Sequence, residues 1–495
     1  MLQLGVTAGG VGLVGAALLE REEAIAEPPD PKRSSPALTG SGDHEHDTQA
    51  AVAPMSAVTL PPPYTVTMPV PEVLQPVARL WDTDIYSITA RPATSEMVPG
   101  MPTAHLGYNG SFIGPTIRAW TGRKVVIRHT NGLDRPLSAH LHGGHVAPEH
   151  DGQPMNLYAP GEVKTYLYPN RQHAASLWYH DHAHGFEAEN TYRGLAGFYL
   201  LSDLREELLP LPKGRYDVPI MLRDVNMQAD GGLFFDLADR TGRTTVLVNG
   251  KPQPRFEVAA RKYRLRICNG SNRRVFQLRL GADEPFLQIA SDGGLLPAPV
   301  ELSRVQVTPG ERVELVVDFS RYKPGTTLEL TNMADTTGAT LQVMRFDVTN
   351  PELDLSYVPR RLRELPPLPA ATAERTILLN KTLDGHLAID GKLYDPDRVD
   401  SVVQHGSTEI WTIRNVGAPG HNFHMHLVQF RVLDRNGAAP PPNEAGLKDV
   451  VWLAPDETVR VQATFNSFVG RYPYHCHILD HSSEGMMAQM EIVKP

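Results

Sequence analysis

The tripeptide His475-Cys476-His477 constrains the fold of this chain more than any other feature. In extended backbone, neighbouring side chains point to opposite faces, so Cys476 looks one way while both flanking imidazoles look the other. Partners for those imidazoles come as two further His-X-His pairs, His140-Leu141-His142 and His180-Asp181-His182, and one triplet, His421, His424 and His426. Together with His481, these make up 10 of the chain's 20 histidines. Using them in concert requires a fold that carries the first two pairs against the C-terminal end.

A lone histidine in a strand is ordinarily a satisfied core or surface residue. Four clusters around one cysteine point instead to metal. A trigonal His₂Cys site with a weak axial Met is the blue-copper arrangement, and Cys476, His481 and Met486 supply all of it except one histidine. Zinc is the rival metal, but its structural sites use four ligands and its catalytic sites three plus water, which leaves most of these imidazoles without a role. Copper is therefore the expected cofactor.

The rest of the chain reads as short strands. Runs such as Lys124–Arg128, Thr245–Val248, Tyr263–Ile267, Val313–Val317, Thr327–Leu330, Ile410–Ile413 and Val459–Ala463 are brief, often alternating, and bounded by Gly, Pro, Asn or Asp. The 43 prolines and 41 glycines among 495 residues suit many turns between strands, as in sandwiches or barrels. No helical periodicity is sustained, so an all-β chain of roughly three domains is expected.

These motifs resemble the multicopper oxidases, and most of all the branch of spore-coat laccases, bilirubin oxidases and phenoxazinone synthase. The likeness runs from about Val58 to Met490 and takes in Tyr168–Arg171, Trp178–Ala183, Ala188–Asn190, Tyr192–Gly194, Lys262–Arg264 and Gly446–Trp452. It implies three cupredoxin-like Greek-key domains, expected at 64–203, 214–364 and 371–495, with Pro-rich linkers at Leu209–Lys213 and Leu365–Ala370. It also implies four coppers. The type 1 ion would take His421, Cys476 and His481 with Met486 as axial ligand, and the type 2 ion His140 and His424. One type 3 ion would take His142, His180 and His477, and the other His182, His426 and His475. The three-copper cluster would then lie between the first and last domains, with the middle domain structural.

Reduction of dioxygen to water consumes protons, so a carboxylate near the cluster is expected as a general acid or relay. Asp151 matches the acidic position of the family, although Asp151-Gly152 also reads as a plain turn. A second family carboxylate usually follows the second type 1 histidine. Here that position is Ser482, and Glu484, two residues further on, is the candidate substitute. Asn422 stands where the family commonly has proline, and Pro419 where bilirubin oxidases have a tryptophan. His145, His150 and His184 adjoin ligand motifs but have no counterpart in the family pattern and read as polar loop residues.

Cys268 is the only other cysteine, and pairing it with Cys476 would remove the thiolate ligand, so a buried free thiol is expected. At the N-terminus the apolar run Leu4–Leu19, too short for a comfortable membrane span, precedes an Ala24-Ile25-Ala26 cleavage pattern. No Lys or Arg precedes the run, so residues 1–26 read as the tail of a twin-arginine-type export signal, giving an extracellular or cell-envelope protein with no integral membrane segment in the mature chain. Residues 27–63, including His44 and His46, read as a disordered linker. A net charge of −9 without a basic cluster argues against nucleic-acid partners and favours small neutral or cationic donors. The function expected is a laccase-like oxidase that couples one-electron oxidation of phenols and aromatic amines to reduction of dioxygen. Bilirubin oxidation, oxidation of ferrous or cuprous ions, and copper binding without turnover are the alternatives.

Overall fold

The computed structural model describes residues 58–417 and 419–495. The expected export signal, His44 and His46 lie outside them, as does the expected linker up to residue 57. The end of that linker is held in place: the Val58 N–H donates to the Met227 carbonyl at 3.2 Å, and Val58 and Leu60 pack against a buried cluster that includes Met97, Met221 and Met227.

Strands form where the sequence alternates. Lys124–Asn131 buries every second residue, which is how a strand with one face on a core must read. Ala175–Asp181 is buried at all its positions because it runs inside the molecule, between Ala139–His142 and Ala196–Ser202. Ladders between named strands stay within three stretches of chain, 78–202, 217–349 and 373–493, each folded as two sheets. The same device opens each stretch: a first long strand pairs in parallel with a later one, Thr83–Val98 with Lys124–Asn131, Asp217–Met227 with Lys262–Asn269, and Ala373–Lys381 with Thr408–Asn415. The expected all-β architecture of cupredoxin-like sandwiches is what the chain adopts. Among the described residues the α-helices are short, Glu187–Tyr192, Leu204–Glu207 and Leu479–Ser483, and none is long and apolar enough to cross a membrane.

Each stretch has its own apolar core, around Tyr86, Ile127 and Tyr199 in the first, Val248, Phe276 and Phe346 in the second, and Trp411, Phe423 and Tyr474 in the third. The first two are joined by a buried ionic network. Arg266 donates to Asp217 at 2.6 Å, to Glu314 at 3.0 Å and to the Ser176 hydroxyl at 3.0 Å, while Arg264 reaches Glu314 at 2.6 Å and Glu206 at 2.9 Å. Cys268 is buried and unpaired, and burial pushes its thiol up to about 12, so it is inert packing.

Candidate metal centre

Strand register brings the histidines together. In the first stretch His140 lies directly opposite His180, and in the third His424 lies directly opposite His475. Directly opposed residues in an antiparallel pair have Cβ atoms about 5 Å apart, so each pairing sets two imidazoles side by side on one face. The His475 and His477 rings stack at 5.5 Å with 27° between their planes, so both point the same way. The strand itself ends at His475, and Cys476 leads through Ile478 into the helix that carries His481.

On the opposite side, Cys476 Sγ stands 3.5 Å from His421 Nδ1 and 3.6 Å from His481 Nδ1, and these two nitrogens are 3.2 Å apart. All three residues are buried. Met486 is fully buried in the same core, its N–H donating to the His481 carbonyl and its own carbonyl accepting from the Cys476 N–H. Burial pushes the Cys476 thiol up to about 12, a rise that the N–H groups of Ile478 and Asn422 partly offset. Burial also holds the imidazole of His421 down at about 4, so it offers a neutral lone pair.

The other eight imidazoles form one buried cluster. His182 Nε2 and His426 Nε2 stand 3.2 and 3.3 Å from His475 Nε2, and His477 Nε2 is 3.1 Å from His142 Nδ1. His140, His142 and His180 bring one ring nitrogen each to within 4.8 Å of one another, as do His140, His424 and His426. Two metal–nitrogen bonds of ~2.0 Å at a near-tetrahedral angle span about 3.3 Å, the spacing found here.

Hydrogen bonds on the outside of the cluster decide which nitrogen faces in. His140 Nδ1 donates to the Asp151 carbonyl at 2.7 Å, His424 Nδ1 to the Asp449 carbonyl at 2.8 Å, His180 Nδ1 to the Asp181 carbonyl at 2.9 Å and His475 Nδ1 to the Cys476 carbonyl at 3.1 Å. A carbonyl only accepts, so each of these rings carries its proton outside and presents the Nε2 lone pair within. His426 does the same against Asp151 Oδ2 at 2.8 Å. His142 is reversed, because its Nε2 donates to Asp449 Oδ1 at 2.9 Å and leaves Nδ1 inward. The inward Nε2 atoms of His140, His180 and His424 are buried without any protein partner. Converging neutral lone pairs would repel one another unless a cation lay between them, so the donor set fits copper ions.

Asp151 is buried beside two cluster histidines, and desolvation raises its carboxyl well above the usual range. The turn reading is also correct: Gly152 has φ of +73°, and a Cβ there would collide with the Ala139 carbonyl. Glu484 is exposed at the C-terminal end of its helix and is not brought to the cluster. His145, His150 and His184 join none of the candidate metal groups among the described residues.

Sequence reading missed several residues that hold the cluster. Asp449 anchors His142 through its carboxylate and His424 through its carbonyl, and is itself clamped by Arg312 at 2.6 and 2.7 Å. Arg312 belongs to the middle stretch, as do Gly310, where a Cβ would stand 2.8 Å from the His477 ring, and Arg273, whose guanidinium lies 3.0 Å from His481 Nε2. Arg243 completes this edge by donating to Asp480, next to His481, at 2.8 Å. The middle stretch thus presses on both metal groups while contributing no ligand histidine. Asp449 lay inside a motif quoted above, but nothing in its spacing marks it as the support of two histidines.

An all-β chain that buries eight imidazoles face to face, with a thiol between two of them, is a multi-metal β-sandwich protein in outline. Residues 89–206 and 367–495 each match the family description "Multicopper oxidase". The chain is 37% identical to a laccase of Bacillus stratosphericus over 86% of its own length and 98% of the relative's. It is also 37% identical to a bilirubin oxidase of Albifimbria verrucaria, over 97% of this chain and 88% of the relative. A crystal structure of a multi-copper oxidase from Pediococcus acidilactici superposes with a TM-score of 0.83 at 33% identity, covering 91% of this chain and 95% of that one. The chain belongs to the multicopper oxidase family: it is an oxidoreductase, and the family implies copper as its cofactor.

Proposed function

We propose that this chain is a laccase-like oxidase that takes single electrons from small aromatic donors and passes them to dioxygen, yielding water. The observation that carries this reading is the His475-Cys476-His477 bridge, which joins the His421/Cys476/His481 group to the eight-imidazole cluster through two peptide units. A type 1 copper would be held by His421, Cys476, His481 and Met486, a type 2 copper by His140 and His424, and a type 3 pair by His142, His180 and His477 and by His182, His426 and His475. The three mutually close ring nitrogens of His182, His426 and His475, and the approach of His477 Nε2 to His142 Nδ1 at 3.1 Å, support the two type 3 groups. When bound, the coppers accept electrons one at a time and deliver four to oxygen.

The protein's own groups then have definable tasks. The peptide path from Cys476 to His475 and His477 separates the site of electron intake from the site of oxygen reduction, so the donor and partly reduced oxygen need never meet. Arg273 lies against Nε2 of His481 and 3.7 Å from the Asp480 carboxylate, so a paired guanidinium borders the intake edge of a chain that is acidic overall. Asp151 orients His140 and His426 and is the acidic group best placed to hold a proton beside them. Confinement of the strand ladders supports domains at 64–203, 214–364 and 371–495, and the sequence of residues 1–26 supports export to the cell envelope or beyond.

Bilirubin is a second reading, favoured by the bilirubin oxidase relative and opposed by Pro419 at the position of the family's tryptophan. Oxygen uptake by the copper-loaded protein with an electron-rich methoxyphenol, with bilirubin and ferrous ion at matched concentrations, tests the assignment. Fast uptake with the phenol is expected. Uptake with ferrous ion alone would make the chain a metallo-oxidase and refute it.

A further inference from the structure

Ser482, at the position where the family resemblance implies an acid, is not without one in space. Its hydroxyl donates to Glu187 Oε1 at 3.2 Å, and both residues are completely buried. Glu187 opens the helix Glu187–Tyr192, which begins just after the His180 and His182 strand end, and its N–H donates to the carbonyl of Ala183, the neighbour of His182. The helix is tied to the Cys476 end of the molecule a second time by the Ala188 N–H, which donates to Ser483 Oγ at 3.3 Å. Glu187 therefore links the segment just after the His180/His182 strand end to the helix that follows Cys476.

Its second oxygen, Oε2, is buried without a partner. Among the described residues no cation compensates it: Arg135 and Arg193 are taken by Glu189 of the same helix, and Arg243 by Asp480. The groups facing it are Asp181 from the adjoining strand, Ser482 and Ser483 from the C-terminal helix, and Tyr394 from the loop beyond. Asp181 adds like charge, and Tyr394, half-buried against His184, leads toward solvent. Desolvation first, and Asp181 after it, push the Glu187 carboxyl up to about 8, so it keeps its proton at neutral pH while a hydroxyl stands ready to stabilise the anion.

We propose that Glu187, hydrogen-bonded by Ser482, is a proton donor to the oxygen-reducing cluster, a second acid besides Asp151 and the spatial replacement for the carboxyl absent at residue 482. The proposal rests on the oxidase reading. Each dioxygen takes four electrons from the aromatic donor and four protons to give two waters. In its turn, the O–H bond at Glu187 Oε2 breaks, the proton passes to an oxygen atom undergoing reduction, and the carboxylate left behind is held by Ser482 Oγ–H until water on the Tyr394 side reprotonates it. The acid has moved from one side of a hydrogen bond to the other, across two helices.

The test uses the full copper-loaded chain, Glu187→Gln, and the double variant Glu187→Gln/Ser482→Glu. Infrared difference spectra of the copper-loaded protein should show a buried protonated-carboxyl band that titrates well above the ordinary carboxylate range and is missing from Glu187→Gln. Anaerobic bleaching of the blue band by donor should be the same in all three proteins. Reoxidation of the reduced protein by dioxygen should fall by about 10²-fold or more in Glu187→Gln, with a larger solvent deuterium effect, and should recover in the double variant. Reoxidation of Glu187→Gln at the parental rate and isotope effect overturns the proposal and leaves the oxidase reading intact. Copper loss in Glu187→Gln that the double variant does not repair makes the residue structural and also overturns it. A parental protein that is inert to oxygen refutes both readings together.

Discussion

Replacing Asp151 by alanine isolates one support of the cluster. His426 Nδ1 would lose the carboxylate oxygen it meets at 2.8 Å, in a site with no exposure to water. The Asp151 carbonyl that receives His140 Nδ1 belongs to the backbone and would stay. A buried N–H left without an acceptor costs about 1–3 kcal/mol, and each 1.4 kcal/mol is a factor of ten in binding, so copper at the His182/His426/His475 group should weaken roughly 10- to 100-fold. The blue group at Cys476 has no contact with Asp151 and should keep its absorption. Titration with a copper chelator, read as copper per chain alongside the blue band, separates the two. Asp151→Asn provides the control: its amide oxygen can still accept from His426, so copper should be retained while oxygen reduction slows. If Asp151→Ala held all its copper as tightly as the parent, the carboxylate would not be orienting His426.

Cys476→Ser should abolish the blue band and turnover while copper at the eight imidazoles survives, since no ligand of that cluster is touched; copper analysis together with spin resonance would check it. Asn422→Pro removes an N–H directed at the Cys476 sulfur, as well as the side-chain bond to the Pro309 carbonyl at 2.7 Å, and should lower the type 1 reduction potential in a redox titration. Arg266→Met leaves Asp217 and Glu314 buried and only partly paired, and should cost about 3–5 kcal/mol in denaturant unfolding. The parent network also predicts acid sensitivity. Burial alone would raise the Asp217 carboxyl, but the guanidinium groups of Arg266 and Arg264 outweigh it and hold it below its ordinary value. A depressed acid stabilises the fold fully above the unfolded value near 3.9 and loses that contribution as pH falls further, so unfolding midpoints of parent and Arg266→Met should converge in strong acid.

The strand runs read from alternation all lie in strands, because a face packed on a core and a face on water leave a period of two in the sequence. The residues that cluster were equally legible, since their types are rare together and Cys476 and its flanking histidines are fixed by covalent geometry alone. Glu187 and Asp449 were not legible. Each acts on a residue roughly 300 positions away, Glu187 through Ser482 and Asp449 through His142, and their local spacing is that of any helix start or strand edge. Glu484, two residues after Ser482, is exposed.

By itself, then, the sequence determined the class of fold and the histidine, cysteine and methionine residues that gather in it, which follow from local chemistry and short-range periodicity. Only the tertiary structure decided which nitrogen of each imidazole faces inward, which carboxyls are stripped of water beside the cluster, and how Arg312, Arg273 and Gly310 of the middle stretch press on it. Those properties depend on burial and on contacts between distant segments, and neither exists until the chain has folded.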